Sequence, residues 1–315
     1  MHGRVIDPVA PGSREWLGYM SASKIASVVG LSPWQSRFSL WQEMSGQLEP
    51  EPMTTDQARG HYLEPAVCAW FADQHPEFEV LPGYTWTRDD YRWMLASPDR
   101  LVYLPDGDVP AAVILNEDDT PPPPPALLEV KTSATDDEWG RPGTDEIPAY
   151  YRPQVVWQMA VTGAERVFVA VLTSRLEFRE YVVEYDPDDA EWLIDQADEF
   201  MSSLVFGEEP DLDEHKATYE AVRRLHPEID GEDIEIPPAL AAEYVGAVTA
   251  KKAAEKRHQG ATTAVADAMG TAKRAVCAGH TIATRQAKGK AAPYVVAGRK
   301  LPTPDQLITE GAEAA

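Results

Sequence analysis

The sequence predicts an α/β core followed by a helical C-terminal appendage, and three observations carry that prediction. Apolar residues at helical spacing alternate with short β-branched and aromatic runs as far as about residue 206. Acidic stretches bearing Pro and Gly follow over 207–238. Residues 239–276 are then alanine-rich and helical in character. A chain of 315 residues with 43% hydrophobic content and nine tryptophans has ample material for a buried core.

Taken in order, Ser21 or Ser23 can cap a short helix through "KIASVV" that stops at Gly30. Ser36 can cap a second, "RFSLWQEMS", that stops at Gly46. "QARGHYLEPAVCAWFADQ" is a longer helix with Leu63, Val67, Trp70 and Phe71 at helical spacing. "EVLPGYTWTR", "RWMLASPDRLVYL" and "AAVIL" read as strands between turn signals. "NEDDTPPPPP" is a polar, proline-rich excursion that cannot enter a sheet interior, after which "ALLEVKTS" returns to strand. A helix from Tyr150 to Thr162 follows, starting around Pro153, where a missing N–H costs least. "RVFVAVLT" and "FREYVVEY" are further strands, and Asp186 caps a helix running from Pro187 to about Phe206. The acidic segments enclose one short helix. "HTIATRQ" and "PYVVAGR" suit a terminal hairpin, and "TEGAEAA" a frayed tail. The expected division is a core at 1–206, an acidic linker at 207–238 and a helical extension at 239–315, with no internal repeat.

No apolar run approaches the ~18 residues of a membrane span, and "MHGRVIDPVA" lacks the apolar region of a signal peptide. The expected location is the cytoplasm, with no membrane partner. Only Cys68 and Cys277 are present, which excludes a disulfide framework and a four-cysteine zinc or iron–sulfur site. The net charge of −24 argues against a generic basic nucleic-acid coat. Residues 251–300, however, hold eleven Lys/Arg against Glu255 and Asp267, a local +9 in a chain that carries −33 elsewhere. That segment suits local contact with a polyanion, and equally a solvated helical surface.

On a strand, Leu127, Glu129 and Lys131 point one way and Leu128 and Val130 the other. Taken alone, this is an ordinary half-exposed strand with a same-face Glu–Lys pair. The preceding strand changes the reading. "RWMLASPDRLV" is apolar up to Ser97 and then places Pro98 and Asp99 where the strand should bend or end, since proline removes a ladder donor. If the strands bearing Asp99 and Glu129 are neighbours, their carboxylates converge. Like charges so close stay ionised together most readily with a cation between them. All-oxygen ligation of that kind suits Mg²⁺ or Mn²⁺. Lys131 would face the same site, placed to orient or deprotonate a water or to neutralise charge on a phosphorane.

Pro98-Asp99 followed by Glu129-Val130-Lys131 resembles the PD-(D/E)-x-K nuclease signature. Within it, the chain is similar to the YqaJ-like viral recombinases related to phage lambda exonuclease. "YMSASKIASVVGLSPWQSRFSLWQEMSG" resembles that family's opening segment, "RGHYLEP" its glutamate helix, "ASPDR" and "LLEVKTS" its metal strands, and "YYRPQVVWQMAVTG" its glutamine helix. "PDLDEHKATYEAVRRLHP" and the tail near "IATRQ" follow its C-terminal layout, so the likeness covers about residues 13–290.

The resemblance implies a restriction-endonuclease-like core, a central mixed sheet flanked by helices. It implies Asp99, Glu129 and the Val130 carbonyl as metal ligands, Lys131 as the catalytic lysine, and Glu64 as the completing carboxylate. Gln154 would position water or substrate from its helix, with Gln158 one turn further on the same face. Ser23 and Ser97 match positions near a pocket for the terminal 5′-phosphate. Leu17 stands before Gly18 where the family often has an arginine, which leaves Arg14 or Arg59 as the substitute. The implied activity is a Mg²⁺- or Mn²⁺-dependent exonuclease acting 5′ to 3′ on double-stranded DNA ends in phage-type recombination. The implied setting is a phage- or prophage-encoded protein of the bacterial cytoplasm, in a trimeric ring and beside a single-strand annealing protein. The alternatives are an endonuclease or RecB-type nuclease of the same superfamily, or a non-catalytic DNA-binding or assembly subunit.

Overall fold

A computed structural model of the protein describes residues 3–103 and 123–313. The strand expected at "AAVIL" and most of "NEDDTPPPPP" lie outside the described residues. Two compact units are present, Met1–Glu228 and Ile229–Ala315. The first begins with β1 (Arg4–Ile6), α1 (Arg14–Leu17), β2 (Met20–Ser21), α2 (Ile25–Val28), α3 (Arg37–Met44) and α4 (Thr55–Gln74). It continues through β3 (Glu79–Pro82), β4 (Thr85–Thr87), β5 (Met94–Ala96), β6 (Arg100–Tyr103) and β7 (Ala126–Thr132). It ends with α5 (Arg152–Thr162), β8 (Arg166–Leu172), β9 (Phe178–Glu184), α6 (Pro187–Phe206) and α7 (Lys216–Leu225).

Local chemistry sets most of these boundaries. Ser36 and Ser39 form a capping box at the start of α3, and Thr54 and Gln57 form one at α4. The Asp186 side chain accepts from the Asp188 and Asp189 N–H groups, and Gly163 and Gly207 end α5 and α6 in the left-handed conformation. Helix α2 departs from expectation. Its N-cap is Lys24, with no side-chain cap bond, while the Ser21 and Ser23 hydroxyls bond each other at 3.0 Å. All four α2 residues are buried, so packing rather than capping holds this short helix.

Five strands form a mixed sheet in the order β3-β6-β7-β8-β9, in which only β7 and β8 run parallel. That parallel pair needs a crossover, and α5 supplies it. Leu127 packs with Val167, Val169 and Val171 on one face, in a core that includes α5 residues Val155 and Trp157. Leu128 and Val130 pack on the other against Phe71 and Val67 of α4. The expected α/β core, a mixed sheet flanked by helices, is what the chain builds. A second sheet, β1-β4-β5-β2, shares the α5-side core through Met20, Trp86 and Met94. Helix α7 packs on α3, with Ala221 against Phe38 and Leu48.

The second unit comprises α8 (Pro238–Met269), β10 (Arg274–Cys277), β11 (His280–Gln286), β12 (Tyr294–Ala297) and α9 (Pro304–Glu313). The helix expected as far as 276 stops at Met269. Gly270 turns the backbone at φ +50°, and β10 then pairs with β11, making a three-stranded sheet of the expected hairpin. The "TEGAEAA" tail, expected to fray, is helical through Glu313. Thr303 and Gln306 exchange capping bonds, and Pro304 opens the first turn. Among the described residues no helix is long and apolar enough to cross a membrane.

Candidate active site

The site is built where one strand reading becomes two strands in two sheets. "RWMLASPDRLVYL" supplies β5 to the four-stranded sheet and β6 to the five-stranded one, and Ser97–Asp99 form the corner between them. Gly83 closes on that corner: its N–H donates to the Asp99 carbonyl at 3.2 Å. A Cβ at Gly83 would lie 1.8 Å from the Pro98 carbonyl oxygen, so no other residue fits without moving the corner. Strand β6 then pairs with only Ala126, Leu127 and Leu128 of β7, leaving Glu129–Thr132 without a ladder on that edge. Asp99 fills the first gap, its Oδ2 accepting the Val130 N–H at 2.6 Å. In an extended strand a residue's N–H and C=O leave the same edge, so the Val130 carbonyl opens toward Asp99 as well.

Glu129 and Lys131 share the α5 face of β7, as alternation requires. Glu129 is 4% exposed and both its oxygens are engaged. Oε1 accepts from Lys131 Nζ at 2.6 Å and from Gln154 Nε2 at 2.5 Å, and Oε2 accepts from Gln158 Nε2 at 2.7 Å. Lys131 Nζ also donates to Gln154 Oε1 at 2.9 Å and stands 4.7 Å from the centre of the Tyr151 ring. Helix α5 thus presents Tyr151, Gln154 and Gln158 to the site at helical spacing. Gln154 was singled out in the sequence. Gln158, equally a Glu129 partner, was noted there only for sharing its face, and Tyr151 was missed. The 151/154/158 spacing was the available signal. The Gln158 Oε1 atom is buried with no hydrogen-bond partner among the described residues, an unmet acceptor directly behind Glu129.

Burial, and then the neighbouring charge of Glu129, push the Asp99 carboxyl well above the usual carboxylate range, although Lys131 and the Val130 N–H pull against them. Burial alone would lower Lys131, but the Glu129 carboxylate, foremost among its neighbours, outweighs it and holds the group above its ordinary value. Lys131 is therefore an ammonium here. A divalent cation would relieve the Asp99–Glu129 repulsion, and two carboxylates with a backbone carbonyl are the hard oxygen donors that Mg²⁺ or Mn²⁺ prefers. The donors fit such an ion, provided Lys131 or Gln154 yields part of its hold on Glu129.

The other expected residues are placed less uniformly. Glu64 faces Arg100, at 3.4 Å, and Arg100 also donates to the Asp99 carbonyl at 2.5 Å. Among the described residues no group of three or more His, Cys, Asp or Glu side chains stands ready to hold a metal. Ser23 and Ser97 each follow by two residues a paired position of β2 and β5, at one end of the four-stranded sheet. There, β2 pairs with β5 through Ser21 and Leu95, and the Ala22 N–H donates to the Leu95 carbonyl at 3.0 Å. Both serines are exposed, and Ser97 bonds Thr85 at 3.2 Å. Arg59 is paired instead with Asp56 at 2.8 Å, and no hydrogen bond among the described residues joins Arg14 to either serine. The cation nearest in sequence, Lys24, is turned inward at 1% exposed. Its Nζ donates to the Trp16 and Tyr19 carbonyls at 2.7 and 2.6 Å.

An acidic corner and a Glu-x-Lys strand stand adjacent in a mixed sheet with a glutamine helix behind them, the arrangement that the PD-(D/E)-x-K resemblance implies. Residues 14–165 match the YqaJ-like viral recombinase domain. The protein YqaJ of Bacillus subtilis (strain 168), itself described as uncharacterized, is 26% identical over 227 residues. That alignment takes in 67% of this chain but only 61% of the relative's length. Among solved structures, an alkaline exonuclease from Laribacter hongkongensis is 20% identical at a TM-score of 0.47, covering 68% of this chain and 99% of its own. A phage-related exonuclease from Haemophilus somnus 129PT is 10% identical at a TM-score of 0.40, covering 66% of this chain and 96% of its own.

Proposed function

We propose that the protein is a divalent-metal-dependent deoxyribonuclease that resects double-stranded DNA ends, 5′ to 3′, for phage-type recombination. The observation that carries this reading is the corner at Pro98. It delivers the Asp99 carboxylate to the Val130 N–H while Glu129, Lys131 and Gln154 form one hydrogen-bonded group on the same strand and its crossover helix. Nothing in a merely structural strand calls for four such groups at its end, since burying charge costs several kcal/mol per ion. Asp99, Glu129 and the Val130 carbonyl would hold Mg²⁺ or Mn²⁺, with Glu64 reaching the site on release from Arg100. The bound ion would supply a nucleophilic water and charge neutralisation.

The chain's own residues do the rest. Lys131 donates as an ammonium to the phosphate oxygen that gains charge, and Gln154 holds both Lys131 and Glu129 in register. Water oxygen bonds to phosphorus as its proton passes to solvent, the P–O3′ bond breaks, and the departing 3′ oxygen takes a proton from solvent. Ser23 and Ser97 offer hydroxyl donors to a terminal 5′-phosphate, with Arg14 or Arg59 its expected cation. By the same resemblance the working form is a ring of three copies in the bacterial cytoplasm, alongside a single-strand annealing protein.

The test is degradation of linear and closed-circular duplexes in Mg²⁺, with and without 5′-phosphates. Linear DNA alone should be consumed, and Lys131→Ala should lower the rate about 10²- to 10³-fold, the scale of losing one transition-state donor. Equal cleavage of closed circles would make it an endonuclease. Binding without any metal-dependent cleavage would make it an assembly subunit.

A further inference from the structure

Beside the charged group lies an aromatic surface that the chemistry above does not use. Trp34, in the turn before α3, is 65% exposed, although tryptophan is normally well covered. Its ring centre stands 4.9 Å from that of Tyr150, edge to face, and 6.1 Å from that of Tyr151. The two tyrosine rings are 4.5 Å apart. The Tyr150 hydroxyl donates to Glu138 at 2.9 Å, and the Trp34 backbone N–H donates to the Ser32 hydroxyl at 3.3 Å, which holds the turn that carries the ring. It is also continuous with the reacting end, because Tyr151 packs against Trp34 on one side and under Lys131 Nζ, 4.7 Å away, on the other.

We propose that Trp34, backed by Tyr150 and Tyr151, is a stacking platform for an unpaired nucleobase flanking the phosphate held at Lys131. The proposal rests on the nuclease reading and deepens it, since it names what the site does with the strand it cuts. An exposed, rigid ring is the surface a base of any identity can stack on, and it carries no sequence preference. Placed one ring away from the ammonium, it would favour a frayed or single-stranded terminus over a fully paired one. Helix α5 would then serve both halves of a nucleotide, Gln154 and Gln158 through Glu129 on the phosphate side and Tyr151 beneath the base.

The experiment uses the full-length protein in metal-free buffer, with a duplex carrying 2-aminopurine as the terminal 5′ nucleotide. Stacking on Trp34 quenches the probe. Trp34→Ala should abolish the quenching and weaken binding of DNA with a short single-stranded end about 5- to 100-fold, as expected for one base–aromatic stack. Trp34→Phe should keep most of both. Melting temperatures should match the wild type, because the removed ring is largely exposed. Unchanged quenching and affinity in Trp34→Ala, with cleavage intact, would overturn the platform alone. Failure of the wild-type chain to bind or cut DNA would overturn the nuclease reading and the platform together.

Discussion

In the first unit Phe71, Trp86, Trp157, Tyr181 and Phe200 are almost completely enclosed. In the second only Met269 and Ala283, among the described residues, join the buried apolar side chains, and nearly the whole of the 32-residue α8 is exposed. Charge follows the same division. Met1–Glu228 holds 17 Lys/Arg against 42 Asp/Glu, and Ile229–Ala315 holds 11 against 10. Yet the acidic unit buries Lys24 and Glu129 and nearly covers Lys131, whereas the balanced one leaves its lysines and arginines exposed or half-buried. A large core lets a fold hold charges out of water at positions it chooses, and a small one does not. Chemistry that depends on shifted charge therefore belongs to the first unit.

The contrast can be broken most easily through the cores themselves. Phe200→Ala should destabilise the first unit by about 3–5 kcal/mol, the usual cost of a buried phenylalanine. Met269→Ala should act on the second unit alone, at the low end of about 2–5 kcal/mol. Denaturant unfolding followed by proteolysis on either side of Glu228 would show it, and equal shifts of one shared transition would mean that the units unfold together. Lys24 sharpens the comparison through pH. Burial is the main cause of its depression to about 7 from the ordinary 10.5, with Glu43 pulling the other way. The folded value lies below the unfolded one, so burial costs most below about pH 7 and the cost fades as pH rises toward about 10.5. Lys24→Met should thus gain on the wild type by a few kcal/mol, less two lost carbonyl bonds, near about pH 6, and lose that gain near about pH 10. Stability curves at the two pH values check it. The smallest effect is expected in α8, where replacing Lys251, Lys252, Lys256 and Arg257 by Gln should change stability by no more than about 0.5 kcal/mol each.

What the sequence disclosed followed the range of the forces involved. Ser36, Asp186, Pro187 and the glycines after α5 and α6 act within a turn of the chain, and their helices stand as the sequence predicts. Pro98 is a local mark of a strand end, and Glu129 and Lys131 gained meaning only once Asp99 stood beside that mark in the preceding strand. Contacts across the sequence were not legible. β10 sits in an alanine-rich stretch whose helical propensity is overridden by pairing with His280–Gln286. Gly83 looks like an ordinary turn glycine until Pro98 is folded against it. Trp34 and Tyr151 meet only because α5 crosses back over the sheet. Arg59 had a partner nearer than any serine, Asp56 one turn away.

The short pairing of β6 with β7 gives the protein an edge inside its own sheet. A strand edge normally invites another strand, and a β6 longer by two residues would supply one and seal the Val130 amide for good. A carboxylate on a rotatable side chain holds that place instead. It satisfies the N–H when nothing else is present and can turn away when a cation or a phosphate arrives. The fold thus keeps one rung of its ladder removable, and the proposed reaction would take place where that rung is missing.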